Sequence, residues 1–288
     1  MMSENSTKIR PGNPSNNPRH PQLSLRPKLD DLKKIRVAAV SYLNTKPLLY
    51  GIRRSAVMNE IELIEDYPSK IAQLLIDDKV DVGLIPVAAT TRLVQWHIVG
   101  DYGIAADGAV ASVCLFSEVP VENVQKVLLD YQSRTSVNLA KILLREYWKK
   151  DVELVDATGE DYRSEITGTT AGVVIGDRAL EQRSRSKYIY DLGEAWNAYT
   201  GLPFVFAAWI SKHPLPKDFE ERFNEANRLG LQHIDDVVKE NPSPFFDLKT
   251  YFTRCIHYNL TPEKREGLKL FLEKLKHYSL QPNPSVGY

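Results

Sequence analysis

Small polar residues gather in this chain where apolar runs give way to helical patterns. In VAAVSYLNTKPLLYGI, residues 37–52, an apolar run ends in Ser41-Tyr42-Leu43-Asn44-Thr45 and a helical pattern follows at once. LLDYQSRTSVNLA ends a strand pattern at Asp130 and sets Ser133, Thr135 and Ser136 before a helix. VVIGDRAL places Gly176 and Asp177 before another helical run. The first turn of a helix leaves about four backbone N–H groups unpaired and carries roughly half a positive charge. Such an end accepts a carboxylate or a phosphate, and nearby hydroxyls add donors. Ser, Thr, Asn and Asp are also the ordinary N-cap residues, so capping alone accounts for any single junction. Ser133, Thr135 and Ser136 exceed that need, because they offer several hydroxyls where one cap suffices. Asp177 reads most simply as a cap, with a role in chemistry as the alternative.

Two aromatic-rich segments add candidates. IVGDYGIAADGAVASVCLF, residues 98–116, runs through glycines into a strand, with Ser112 among small and apolar neighbours. YDLGEAWNAYTGLPFVFAAW puts Trp196, Tyr199, Thr200, Gly201 and Pro203 at a turn before a strand. Trp196 and Trp209 read first as packed core, and Gly201 and Pro203 as turn residues.

Other familiar chemistry is missing. No G-x-G-x-x-G follows a strand, and there is no G-x-x-x-x-G-K-[ST] or G-x-S-x-G. None of the 6 histidines stands in a metal-binding spacing. His97, after Trp96, reads as a packed or surface residue rather than a base. Cys114 and Cys255 are far apart among apolar neighbours and read as buried free thiols. No metal, cofactor or covalent nucleophile is announced.

The elements that must position these residues alternate in period. IRVAAV (35–40), EIELIED (60–66) and VDVGLIPVAA (80–89, stopping at Pro86) read as strands around helical runs such as PSKIAQLLIDDK. KVLLD (126–130), VELVDA and AGVVIGD (171–177) repeat the scheme around TSVNLAKILLREYWKK. After the strand TGLPFVFAAWI (200–210) the chain turns helical, with Thr261 and Pro262 a cap and first turn. Right-handed crossovers then imply mainly parallel sheets covered by helices, an α/β architecture. Two such sets predict two lobes. The larger takes residues 35–117 and 206–288, and the smaller takes 118–205. Ligands of such folds bind outside the carboxyl ends of the strands or between domains.

The 288 residues are 43% hydrophobic, enough for a sizeable core. Lys+Arg and Asp+Glu both number 37, so charge gives no general reason to expect nucleic acid or an anionic membrane. Residues 1–34 are basic and rich in Pro, Asn and Ser. They are expected to be a disordered head or a cloning remnant. That head lacks the apolar core of a signal peptide, and no later run reaches the roughly 18 apolar residues of a membrane span. A cytoplasmic protein with no membrane partner is expected, its oligomeric state unknown.

VSYLNTKPL, DVGLIPVA, GAVASVCL, LLDYQSRTSVNLAKILL, VVIGDRAL, DLGEAWNAYTGLPFVFAAW and IHYNL…GLKLFLEKL together resemble, in that order, the chorismate dehydratase family. The likeness runs over about residues 35–275 and includes the unusual Thr200-Gly201-Leu202-Pro203-Phe204. It implies the two-lobed type II periplasmic-binding-protein-like fold with a central cleft. It also implies loss of water from chorismate to give 3-[(1-carboxyvinyl)oxy]benzoate, on the futalosine route to menaquinone, with chorismate as the small-molecule partner. Chorismate is a dianion, and two helix N-termini facing one cleft are what such a ligand requires. On this resemblance Ser133, Thr135 and Ser136 hold one carboxylate, and Asn44 and Ser112 meet the reacting face or the other carboxylate. Tyr42, Thr200 and Gly201 complete the substrate contacts. The base is Asp177 or the substrate's own enolpyruvyl carboxylate. Two alternatives stay open: a non-enzymatic carboxylate-binding protein of the same fold, and the related 1,4-dihydroxy-6-naphthoate synthase. The synthase is disfavoured because no histidine lies between His97 and His213.

Overall fold

In the computed structural model residues 34–280 are described, and the head expected to be disordered lies outside the described residues but for Lys34. Four strands open the chain: β1 (Ile35–Val40), β2 (Ile61–Asp66), β3 (Val82–Pro86) and β4 (His97–Ala106). Next come β5 (Val113–Ser117), β6 (Lys126–Leu129), β7 (Glu153–Asp156), β8 (Thr170–Ile175) and β9 (Tyr188–Asp191), and the chain returns through β10 (Phe204–Ser211) and β11 (His257–Asn259). They form a six-stranded sheet, β11-β4-β10-β3-β1-β2, and a five-stranded sheet, β7-β6-β8-β5-β9. Every residue of β3 is buried, as a strand covered on both faces requires, whereas the edge strand β2 leaves Glu62 exposed.

Both sheets are mixed. Parallel pairing, expected to predominate, is confined to β1 with β2 and β3, and to β6 with β7 and β8. β10 enters antiparallel between β3 and β4, and β5 lies antiparallel between β8 and β9. These are the strands by which the chain passes between the sheets. An antiparallel neighbour needs no crossover helix, so they escape the constraint that makes the βαβ halves parallel. The segment read as one glycine-rich approach to a strand is two strands in different sheets, β4 and β5. Residues 113–117, grouped on sequence with the first strand set, pair in the second sheet.

Helices cover the sheets: α1 (Lys46–Arg54), α2 (Pro68–Ile76), α3 (Arg134–Ile142), α4 (Asp177–Gln182), α5 (Leu192–Thr200), α6 (Lys217–Gln232), α7 (Ile234–Glu240), α8 (Leu248–Thr250) and α9 (Pro262–Leu280). α1 buries Leu48, Leu49 and Ile52, and α6 lies backbone to backbone on it. A Cβ on Gly230 would sit 1.7 Å from the Pro47 carbonyl oxygen, so only glycine allows this approach. The contact fixes α1, and with it the Asn44 turn. Thr261 caps α9, its Oγ1 accepting the Lys264 N–H at 3.4 Å. Trp196 and Trp209 are fully buried, and Trp209 Nε1 donates to Asn227 Oδ1 at 3.2 Å. Both cysteines are free; Cys114 is buried and Cys255 half-buried. His97 is exposed.

Candidate active site

A cavity of about 60 Å³ opens between the two sheets. Val40, Leu84, Pro86 and Phe206 come to it from the first sheet, and Val113 and Ile175 from the second. It lies at the carboxyl ends of β1, β3 and β8, where open α/β sheets place their ligands. Its polar lining includes Tyr42, Asn44, Ser112, Ser133 and Ser136.

The β1–α1 junction is a single 3-10 turn, Leu43–Thr45. Thr45 Oγ1 is 2.7 Å from both the Val40 and Tyr42 carbonyl oxygens and folds the turn back on the strand end. The Asn44 side chain lines the cavity and has no hydrogen-bond partner among the described residues. Leu43 N–H donates to Asp177 Oδ1 at 3.1 Å, a bond that joins the two sheets. Asp177, read on sequence as the cap of the helical run it precedes, instead holds the turn of the opposite sheet. In its own helix α4 the N-cap is Gly176, with no side-chain cap bond. Burial raises the Asp177 pKa above the ordinary carboxylate value, opposed by the Leu43 N–H and then by Lys46 and Arg178. Asp177 is not among the residues lining the cavity.

Tyr42 also reaches across. Its phenol donates to Gln132 Oε1, and burial pushes its pKa up, keeping it neutral. Its ring covers Gly176, whose φ of 64° and ψ of −147° suit glycine alone. Gln132 is held in turn, because its N–H donates to Asp130 Oδ1 at 2.8 Å. Asp130, buried, also accepts from Arg178 at 2.9 Å and from the Tyr162 phenol at 2.8 Å.

At α3, Ser133 is the N-cap and accepts the Ser136 N–H at 3.2 Å, while its hydroxyl lies 3.0 Å from Ser136 Oγ. The N–H groups of Arg134 and Thr135 have no partner among the described residues, the usual state of an uncovered first turn. Thr135 Oγ1 accepts the Ala88 N–H at 3.0 Å and ties the sheets together; the residue is buried and does not line the cavity.

Ser112 stands where the chain passes from β4 to β5. Ala111 before it has φ 63°, and Ser112 N–H returns to the Val110 carbonyl at 2.8 Å. This tight path is clamped by Asp191, which accepts from Val110 N–H at 3.0 Å and Ala111 N–H at 2.7 Å. The same carboxylate caps α5 through Gly193 and Glu194, 3.0 and 3.2 Å away. Behind Ser112 the buried Tyr251 places its phenol 2.7 Å from Ser112 Oγ. Among the described residues no group of three or more His, Cys, Asp or Glu side chains could hold a metal ion.

Thr200 and Gly201 lie outside the cavity lining. They end α5: Gly201, left-handed at φ 73°, donates to the Asn197 carbonyl at 2.8 Å, and Thr200 Oγ1 donates to Trp196 O at 2.8 Å. Their unusual spelling is explained by a helix end. Asp191, Gln132 and Tyr251 were missed. Asp191 carried a local signal, since Asp191-Leu192-Gly193-Glu194 is spelled like a capping box. Gln132 and Tyr251 carried none, because each acts on a residue far away in the chain.

A family model described as menaquinone biosynthesis matches residues 35–277. The chorismate dehydratase of Thermus thermophilus is 28% identical over 258 residues, spanning 81% of this chain and 92% of its own. That of Campylobacter jejuni is 26% identical over 250 residues, spanning 84% and 97%. Among solved structures, a protein of Archaeoglobus fulgidus superimposes with a TM-score of 0.66 at 15% identity, covering 86% of this chain and 98% of its own. The periplasmic aliphatic sulphonate binding protein of Escherichia coli does so with a TM-score of 0.57 at 15% identity, covering 88% and 94%. The fold is that of the periplasmic binding proteins.

Proposed function

This chain belongs to the menaquinone biosynthesis family, and on that premise we propose that it removes water from chorismate to give 3-[(1-carboxyvinyl)oxy]benzoate, as a hydro-lyase. What supports the reading most is the meeting of two helix starts from different sheets at one cavity. The α3 start offers the cavity-lining hydroxyls of Ser133 and Ser136 to one carboxylate, with the unpaired N–H groups of its first turn beside them. The β1–α1 turn offers Asn44. Its Leu43 N–H is already taken by Asp177, so anion binding falls mainly to α3.

The reaction requires little machinery. The ring carbon that bears the ether carries one hydrogen, and its neighbour carries the hydroxyl. Loss of both leaves an aromatic ring. The departing proton is conjugated through a ring double bond to the ring carboxylate, so charge develops there. Donors already aimed at that carboxylate stabilise the carbanion-like state without reorganising. Ser112 and Asn44, at the cavity, face the reacting carbons or the second carboxylate. The base is the substrate's enolpyruvyl carboxylate, because Asp177 is engaged by Leu43 outside the cavity lining. Orientation then contributes several kcal/mol, about the order of intramolecular reactions. The sheets act as two lobes, residues 118–205 forming the smaller with β5 added to it. Their closure on chorismate is tested by small-angle scattering, where an unchanged radius of gyration would count against lobe motion.

Purified protein mixed with chorismate should give an aromatic enolpyruvyl product, read by absorbance and mass. Chorismate recovered unchanged but bound would instead favour a carboxylate-binding protein.

A further inference from the structure

We propose that Tyr251 is a positioning residue for this reaction: its phenol donates to Ser112 Oγ and thereby turns the Ser112 hydroxyl proton toward the cavity. The inference rests on the reading above, in which Ser112 faces the substrate.

Tyr251 is fully buried, with its ring against Phe246 and Phe252. It opens a single π-turn in which Ile256 N–H reaches back to the Tyr251 carbonyl at 3.0 Å. Such turns add a residue to a helix and re-aim the side chains around it. Among the described residues the phenol has one hydrogen-bond partner, Ser112 Oγ at 2.7 Å. A phenol has one proton. If Ser112 donated to Tyr251, that proton would stay buried and unpaired, at a cost of about 1–3 kcal/mol. The phenol therefore donates and the serine oxygen accepts. Burial raises the Tyr251 pKa and keeps it a neutral donor.

The serine proton must then go elsewhere. No described residue accepts it, and Ser112 lines the cavity. The backbone leaves the oxygen little freedom, since Asp191 clamps the two preceding N–H groups and Ser112 N–H is bound to Val110. Ser112 thus meets the substrate as a donor whose oxygen already receives a hydrogen bond. A donor suits a carboxylate gathering charge or a departing hydroxyl oxygen, and it is the wrong polarity for a base.

The test compares Tyr251→Phe, Ser112→Ala and the double variant in full steady-state kinetics on chorismate. Tyr251→Phe should lower kcat about tenfold, one hydrogen bond's worth, with KM within about twofold. The double variant should be no slower than Ser112→Ala, since the phenol acts only through the serine. Unchanged kcat in Tyr251→Phe overturns the proposal, as does an undiminished loss in the Ser112→Ala background. Replacing Tyr251 with 4-aminophenylalanine restores a donor on the same ring. It should keep kcat within about threefold of the wild type, and a rate as poor as that of Phe, or a tenfold loss where Phe does not fold, overturns the proposal. Absence of turnover in the wild type sinks both readings. Turnover in the wild type, lost in Ser112→Ala but kept in Tyr251→Phe, sinks this one alone.

Discussion

Asp177→Asn separates the two candidate bases. An asparagine oxygen can still accept the Leu43 N–H that Asp177 Oδ1 receives at 3.1 Å, so the turn before Asn44 stays in place. What is lost is the difference between a charged and a neutral acceptor, about 1 kcal/mol. That corresponds to about a fivefold change in rate if all of it reached the transition state. Removing a general base costs about 10²- to 10⁴-fold. The outcomes are too far apart to confuse. A pH signature accompanies them. Burial raises the Asp177 pKa in the fold, so its stabilising contribution is complete below the unfolded value and is lost as pH rises through the folded one. Asparagine does not ionise, and the variant should be as stable as the wild type, or more so, at pH 8 in a urea titration. Were Asp177 the base, kcat/KM would climb with pH through its raised pKa, and that limb would vanish in the variant. A loss of about 100-fold or more in a variant that melts like the wild type would refute the substrate-carboxylate mechanism.

Further predictions concern other parts of the molecule. Glu146 accepts from Lys274 at 2.5 Å, Tyr199 at 2.5 Å and Tyr278 at 2.6 Å, joining the turn after α3 to α5 and α9. Burial opposes ionisation there, but these donors outweigh it and bring the carboxyl to about 2 from 4.5. Its contribution, about 2 kcal/mol after allowance for solvent screening, should be full above about pH 4.5 and fade as pH falls toward 2. Urea titrations of Glu146→Gln should lose that slope, and an unchanged pH dependence would exclude the cluster. Asn44→Ala should lower kcat by about tenfold or more, for want of one aligned donor at the cavity; a rate within a few-fold of wild type removes Asn44 from the chemistry. Gly176→Ala should destabilise the fold by about 1–3 kcal/mol, since its backbone angles suit only glycine. The new Cβ would lie 3.2 Å from the Tyr42 ring, so KM should rise as well.

Particular residues show how far the sequence could be read. The βα alternation, the stop at Pro86, the caps at Ser133 and Thr261 and the burial of Trp196 and Trp209 all follow from near neighbours. The antiparallel entry of β10 and β5 does not, because strand direction is decided by what already occupies the sheet. Thr200-Gly201 attracted a binding role through its rarity, yet its conformation is spent on ending α5. Asp191 was spelled as a local cap, and its second duty toward Val110 and Ala111 had no local sign.

By itself the sequence determined the elements, the helix starts that could receive an anion and the family they resemble. Periodicity and capping are settled among residues a few positions apart. Only the tertiary structure decided which of those starts share a cavity. The contacts that do so join residues 90, 134 and 139 positions apart: Tyr42 with Gln132, Leu43 with Asp177, and Tyr251 with Ser112. Such pairs exist only after two sheets have been placed against each other, and no local pattern encodes that placement.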